Sequence, residues 1–215
     1  MPNKSSQAYD QLQRMITFQE LKPGTIVSES TLMEITGLGR TPVREALQKL
    51  AWERMVEIHP RRGAFIPLIS VEVQLKLLEL RRTVEELAVR MASHRATVAQ
   101  KQSMLQLADG LEGLESTDDV LAYGERLKDI HELIVEAAQN EYLQLAMAPL
   151  QGLSRRFWFA NIRDLSEELR NGTRLHAATL RAICHGDEEG AAAASLALND
   201  YLTEFAYRTL RPEGK

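Results

Sequence analysis

Gly39-Arg40-Thr41-Pro42-Val43-Arg44-Glu45-Ala46-Leu47 opens a helix whose two sides differ in chemistry. Pro42 suits a first helical turn, where the missing N–H leaves no hydrogen bond unmade and the fixed φ is already helical. The spacing predicts a start near Thr41 with Pro42 at the first helical position. Val43, Ala46, Leu47 and Leu50 recur at i, i+3, i+4 and i+7 and make one apolar side, while Thr41, Arg44 and Gln48 fall on the other. One side packs, and the other is offered to a partner.

Upstream, a short helix is predicted from Glu29 to Thr36, with Ser28 as N-cap and Gly37 as its end. Before it, Ala8, Leu12, Met15 and Ile16 form a helical stripe that Lys22-Pro23-Gly24 interrupts. Downstream, strand-like runs over residues 55–59 and 64–67 flank Pro60-Arg61-Arg62-Gly63, a hairpin turn carrying two cations. The order is helix, helix, tight turn, helix, two-stranded wing. In a helix-turn-helix the second helix enters the DNA major groove. Here it would bring Arg40, Thr41, Arg44 and Gln48 toward DNA. Arginine chelates guanine O6 and N7, and a helix N-terminus with a threonine hydroxyl suits phosphate. Arg61, Arg62 and Gly63 would let the wing tip approach the backbone or minor groove.

Beyond Pro67 the pattern turns to long helical periodicities. Leu77, Leu80, Val84, Leu87, Ala88 and Met91 make one stripe, and Tyr123, Leu127, Ile130, Ile134, Val135 and Ala138 another. His176, Thr179, Leu180 and Ile183 follow, then Ala194, Leu198, Tyr201, Leu202 and Phe205. Gln139-Asn140 and Gly186-Asp187 read as breaks between helices. The expectation is a mainly α protein: a winged helix-turn-helix over residues 1–68 and an all-helical bundle over 69–215.

Composition supports folded domains. Of 215 residues, 44% are apolar and 26% charged, which excludes disorder and fibrous repeats. No apolar run approaches the roughly 20 residues that span a bilayer, so no membrane partner is expected. One cysteine, Cys184, forms no intrachain disulfide, and the N-terminal stretch has no signal-peptide pattern, so the expected compartment is the cytoplasm. The net charge of −4 is uneven: residues 1–67 hold nine Lys/Arg against seven Asp/Glu, leaving 17 against 23 in the rest. A mildly basic front fits a nucleic-acid module joined to a different unit.

Lys22-Pro23-Gly24, Glu29 to Leu32, Arg40-Thr41-Pro42-Val43-Arg44-Glu45-Ala46-Leu47 and Arg61-Arg62-Gly63-Ala64 closely resemble the winged helix of GntR-family bacterial transcription regulators. The resemblance implies that Arg40, Thr41 and Arg44 read an operator and that Gly63 sits at the wing tip. This chain departs at Gly39, where the family often has Ser or Thr, and at Arg54, where it usually has Gly. The back half resembles the FCD-type ligand-binding domain of the FadR-like branch, through Leu80 to Ala88, Ile130-His131, Ala137 to Asn140, and His176 to Asp187. That branch forms homodimers and binds small carboxylic acids, often beside a metal.

In the metal-binding subset, an Asp four residues before a first His, that His, a second His and a third about 22 further on project inward. His131 and His176 match the first two histidines, but Leu127 and Leu198 occupy the other positions. Two imidazoles are too few for a tight zinc-type site, so a metal-free pocket is favoured; His131 and His176 would be the ligands of any metal. Glu125 and Asp129 point off the His131 face, and Asn199 would serve only after a register shift. Arg81, His131, His176 and Asn199 are the candidate effector residues. Arg81 has two readings: a carboxylate clamp, or an i, i+4 partner of Glu85. Arg155-Arg156-Phe157-Trp158-Phe159 reads as core or dimer contact with the arginines snorkelling outward.

The function expected is a ligand-responsive repressor that binds a pseudo-palindromic operator on double-stranded DNA as a homodimer and senses a small carboxylic acid. The rivals are a helical protein-interaction module and, less favoured, an enzyme. Against the enzyme stand the missing nucleophile signatures, the missing phosphate loop, and a Cys184-His185 pair that helical geometry splays apart.

Overall fold

The computed structural model describes residues 3–114, 117 and 119–211. They form two compact units, one comprising the chain up to Ser70 with Gly152–Ala160, the other Val71–Gln151 with the chain from Asn161.

The first unit contains α1 (Lys4–Thr17), β1 (Ile26–Val27), α2 (Glu29–Thr36), α3 (Arg40–Trp52), β2 (Glu57–His59) and β3 (Gly63–Phe65). Ala8, Leu12 and Ile16 of α1 bury against Leu32 of α2 and Val43, Ala46, Leu47 and Leu50 of α3, which form the core. Met15 of the predicted stripe is half-buried, and Tyr9 and Gln13 take buried places instead. Tyr9 Oη donates to the Glu53 carboxylate at 2.8 Å, so burial and that carboxylate push its pKa up.

α2 has the predicted bounds, because Ser28 Oγ accepts from the Thr31 amide at 3.1 Å and Gly37 closes the helix with φ 66°. α3 starts one residue earlier than predicted, with Gly39 as N-cap, which puts Pro42 at the third helical position. That position is still in the first turn, where an amide has no intrahelical acceptor. The wing has three strands in the order β1-β3-β2, all antiparallel. β1 is two residues long, too short to leave a periodic signal.

The arginine–aromatic cluster corrects an expectation. Arg155 and Arg156 do not snorkel outward; they are 8% and 2% exposed. Arg156 Nη1 donates to the Met55 carbonyl at 3.4 Å and Nη2 to that of Pro67, flanking the wing strands. Burial lowers the Arg156 pKa to about 10. Phe159 stacks at a tilt on Phe18, centroids 4.8 Å apart.

The second unit contains α4 (Val71–Arg95), α5 (Val98–Leu114), α6 (Val120–Ala137), residues 141–151 of α7 (Glu141–Asn161), α8 (Leu165–His185) and α9 (Glu188–Thr209). α4 packs on α9, α6 and α8, and α5 on α8 and α6. The α6 stripe is buried as read, and Gly186, with φ 71°, ends α8 at the expected break. Gly172 of α8 admits Tyr123 of α6: a Cβ there would lie 2.4 Å from Tyr123 Oη.

α4 departs from its reading. Of the predicted stripe only Ala88 is buried; Leu80 and Leu87 are 52% and 49% exposed. The buried side is Gln74, Leu78, Arg81, Glu85, Ala88, Val89 and Ala92. α9, on which α4 packs, buries Ala191, Ala192 and Ser195, small side chains that leave room beside them for the larger residues of α4. Arg81 and Glu85 are tolerated there because they bond to each other and Gln151 adds a bond to Glu85.

Candidate nucleic-acid interface and ligand cavity

Burial of Val43, Ala46, Leu47 and Leu50 fixes which way α3 turns its remaining residues. Arg40, Thr41, Arg44 and Gln48 are all exposed. Gly39 makes no side-chain cap bond, so the first-turn amides of α3 are left to other acceptors. Arg44 is held by a residue the sequence reading missed: its Nε donates to both Glu29 oxygens, at 3.0 and 2.9 Å. Glu29 stands at the start of α2, where a carboxylate also favours the helix N-terminus. The signal was available in principle, as a carboxylate one turn before the apolar core of α2.

At the wing, the Arg62 amide donates to the His59 carbonyl at 3.1 Å, closing a turn with Pro60 and Arg61 at its centre. Arg61 has φ 64°, the left-handed value that a proline-led turn of this kind demands at its second central residue. Both Arg61 and Arg62 are exposed. Gly63 is half-buried and has a packing role: with φ 118°, its Cβ would fall 2.1 Å from the Val27 carbonyl oxygen of β1. Arg54 takes φ 59°, a conformation that glycine adopts without penalty.

The second unit encloses a cavity of about 20 Å³, room for about one water. His131 and His176 both line it, with ring centroids 5.5 Å apart. His176 Nδ1 lies 2.7 Å from the Gly172 carbonyl oxygen. Glu85, Gln151, Thr179 and Ser195 supply its other polar groups, and Val89, Ile130, Ile134 and Leu198 its apolar wall. The donor set does not fit a metal: Leu198 lines the cavity where a third imidazole would be needed, and Leu127 is buried on α6. Among the described residues, no group of three or more His, Cys, Asp or Glu is placed to hold an ion.

The other two candidate effector residues are placed elsewhere. Asn199 is buried and donates from Nδ2 to the Leu78 carbonyl at 3.2 Å, tying α9 to α4. Arg81 is 2% exposed and donates to Glu85 through Nε at 3.2 Å and through Nη2 at 2.8 and 2.9 Å. Of the two readings of Arg81, the geometry therefore takes the pairing with Glu85, and it is Glu85 that reaches the cavity. Gln151 Nε2 adds a bond to Glu85 at 3.3 Å. Periodicity had no means of finding Glu85 or Gln151, since neither belongs to an apolar stripe.

Cys184 Sγ donates to the Lys101 carbonyl at 3.2 Å while His185 is exposed, so the neighbours make no nucleophile–base pair. No helix among the described residues is long and apolar enough to cross a membrane.

Comparison with known proteins agrees with both halves. Residues 4–66 match the family described as bacterial regulatory proteins, gntR family, and residues 76–200 match the FCD domain. The Nta operon transcriptional regulator of Aminobacter aminovorans is 32% identical over 178 residues, which covers 81% of each chain. The galactonate operon transcriptional repressor of Escherichia coli K12 is 25% identical over 223 residues, covering 91% of this chain and 93% of that protein. E. coli McbR/YncC has the same fold, with a TM-score of 0.80 at 20% identity over 98% of this chain and 100% of that one. The chain therefore belongs to the GntR family of bacterial transcription regulators and carries an FCD effector-binding domain: it is a DNA-binding regulator and not an enzyme.

Proposed function

We propose that this protein is a repressor that grips a pseudo-palindromic operator as a homodimer and changes its hold when a small organic effector enters the helical domain. The observation that carries the reading is the polar side of α3, Arg40, Thr41, Arg44 and Gln48, exposed together with the Arg61-Arg62 wing turn. Arginine and glutamine on such a helix discriminate bases, and the wing cations hold phosphate. One such helix contacts few base pairs, so a second copy about one helical turn away is needed for specificity. The name of the galactonate relative supports repression. Such a protein works in the cytoplasm, where bacterial operators lie.

A second copy also has a place to dock. Val73, Leu77, Leu80, Val84, Leu87 and Met91 alternate steps of four and three along α4, the spacing of a coiled-coil seam. They are exposed or half-buried throughout. A two-fold axis sets this seam against itself, as an isologous contact requires. Effector binding then shifts the population between two packings of the bundle.

The test is selection of duplexes from a random pool by the full-length protein. Recovered sites are expected to be two-fold related, with affinity falling steeply as salt is added. Retention of no duplex, or binding indifferent to salt, would overturn the reading in favour of a protein-interaction module.

A further inference from the structure

Arg156 carries a positive charge into the interior of the winged unit, to which Gly152–Ala160 of α7 belongs. We infer that Arg156 is a positioning residue for DNA recognition: its guanidinium stands in for the last rung of the wing hairpin and so sets where the Arg61-Arg62 turn meets the DNA backbone. This rests on the reading of the wing cations as phosphate contacts.

The register of the hairpin locates the rung. β2 and β3 pair His59 with Gly63 and Glu57 with Phe65, and continuing that register by two residues sets Met55 opposite Pro67. Proline has no amide hydrogen, so it cannot donate across the hairpin, and backbone pairing alone does not carry the ladder to this level. The two carbonyls there both accept from Arg156, that of Met55 from Nη1 at 3.4 Å and that of Pro67 from Nη2. One planar fork of donors thus ties the two chains of the hairpin together where their own pairing ends.

Packing alone does not account for an arginine here. Burying a guanidinium is costly, and a methionine would fill much of the same space without a charge. Among the described residues its hydrogen bonds go to these carbonyls and none to a carboxylate. What a methionine lacks is the pair of donors. The strand that gains from them is β2: β3 lies between β1 and β2, whereas β2 is an edge strand of three residues paired with β3 alone. Arg61 and Arg62 lie in the turn that follows it. From Met55 to His59 the chain covers about 13 Å of strand, so a swing of ~10° at the base moves the turn by about 2 Å and takes a guanidinium out of hydrogen-bonding reach of a phosphate.

The experiment uses the full-length protein and the duplex recovered by selection, with Kd values from fluorescence anisotropy at several salt concentrations. R156M is expected to weaken binding about tenfold and to lower the slope of log Kd against log salt by about one, the signature of a lost phosphate contact. In the R61A/R62A background the same substitution should cost less than about twofold, because the contacts it misplaces are already gone. A role in folding alone would cost as much in either background. Should R156M fold poorly, R156K is the second variant: it keeps the charge but, as a point donor, cannot span both carbonyls, so about threefold should be lost, again only while Arg61 and Arg62 are present. An unchanged salt slope, equal losses in the two backgrounds, or unfolding of both variants would overturn the inference. R61A/R62A tells the two failures apart: if it leaves affinity and slope unchanged, the wing reading falls and this inference with it, whereas if it lowers both and the Arg156 variants lower neither, only the role of Arg156 falls.

Discussion

Arg44 of α3 and Glu29 of α2 face each other across the helix-turn-helix, with Nε 2.9 Å from Oε2. The guanidinium is 57% exposed, so the pair contributes little to stability, on the order of 0–1 kcal/mol. On the proposed role of α3, its effect would be on aim: an arginine whose Nε–H is shared by both Glu29 oxygens would reach the groove in one orientation, and the carboxylate would repel misplaced phosphate.

R44A should cost ~1–3 kcal/mol on the selected operator and relax its base preference. E29Q should leave the unfolding midpoint nearly unchanged yet narrow the affinity ratio between operator and random duplex. Fluorescence anisotropy on both duplexes at one salt concentration measures this; equal losses for R44A on both would assign Arg44 to phosphate alone.

Two left-handed positions in the winged unit should respond with opposite sign. Arg54, at φ 59°, gains from R54G by about 0.5–1 kcal/mol, because glycine relieves the local strain. G63A should destabilise by about 3 kcal/mol or more, since a methyl group at φ 118° collides with the Val27 carbonyl oxygen. Urea titrations of the two variants beside the wild type settle both.

The α4 seam makes a prediction about assembly. On the proposed dimer, L80E/L87E places carboxylates on side chains that are half exposed in the single chain, so helical content should persist while light scattering reports a monomer. Operator affinity should fall about 100-fold or more, as one recognition helix replaces two. An unaltered dimer would move the interface elsewhere.

Acid should loosen specific helix pairs. The hydrogen bond from Arg90 holds the Glu189 carboxyl below the usual range, and that from Arg181 does the same for Glu112. A depressed folded pKa means the stabilisation is complete above the unfolded value of about 4.3 and disappears as pH falls below it. Amide exchange in the first turn of α9 should therefore accelerate below about pH 4, and less so in R90M, which has no such bond to lose.

How far the fold could be read from the residues depended on where their partners lie in sequence. α2 was legible to the residue because Ser28 and Gly37 act on their own neighbours. The stripe of α6 was legible because a single face of it is apolar. α4 has two candidate faces, and periodicity picks the more apolar one, whereas the face that is buried carries the mutually bonded Arg81 and Glu85. Arg156 bonds a carbonyl 101 positions away, and nothing local announces that. The same holds for the cavity: both histidines were found from their apolar faces, but Arg81 was resolved only by the position of Glu85, and Gln151 only by tertiary proximity.

With space for about one water between Ile130, Ile134 and Leu198, the cavity as it stands has no room for a larger guest. Entry must follow an opening of the helices, so observed association rates should level off at high concentration, at the speed of that opening. A sensor of this construction reports sustained supply and is blind to pulses shorter than its own breathing.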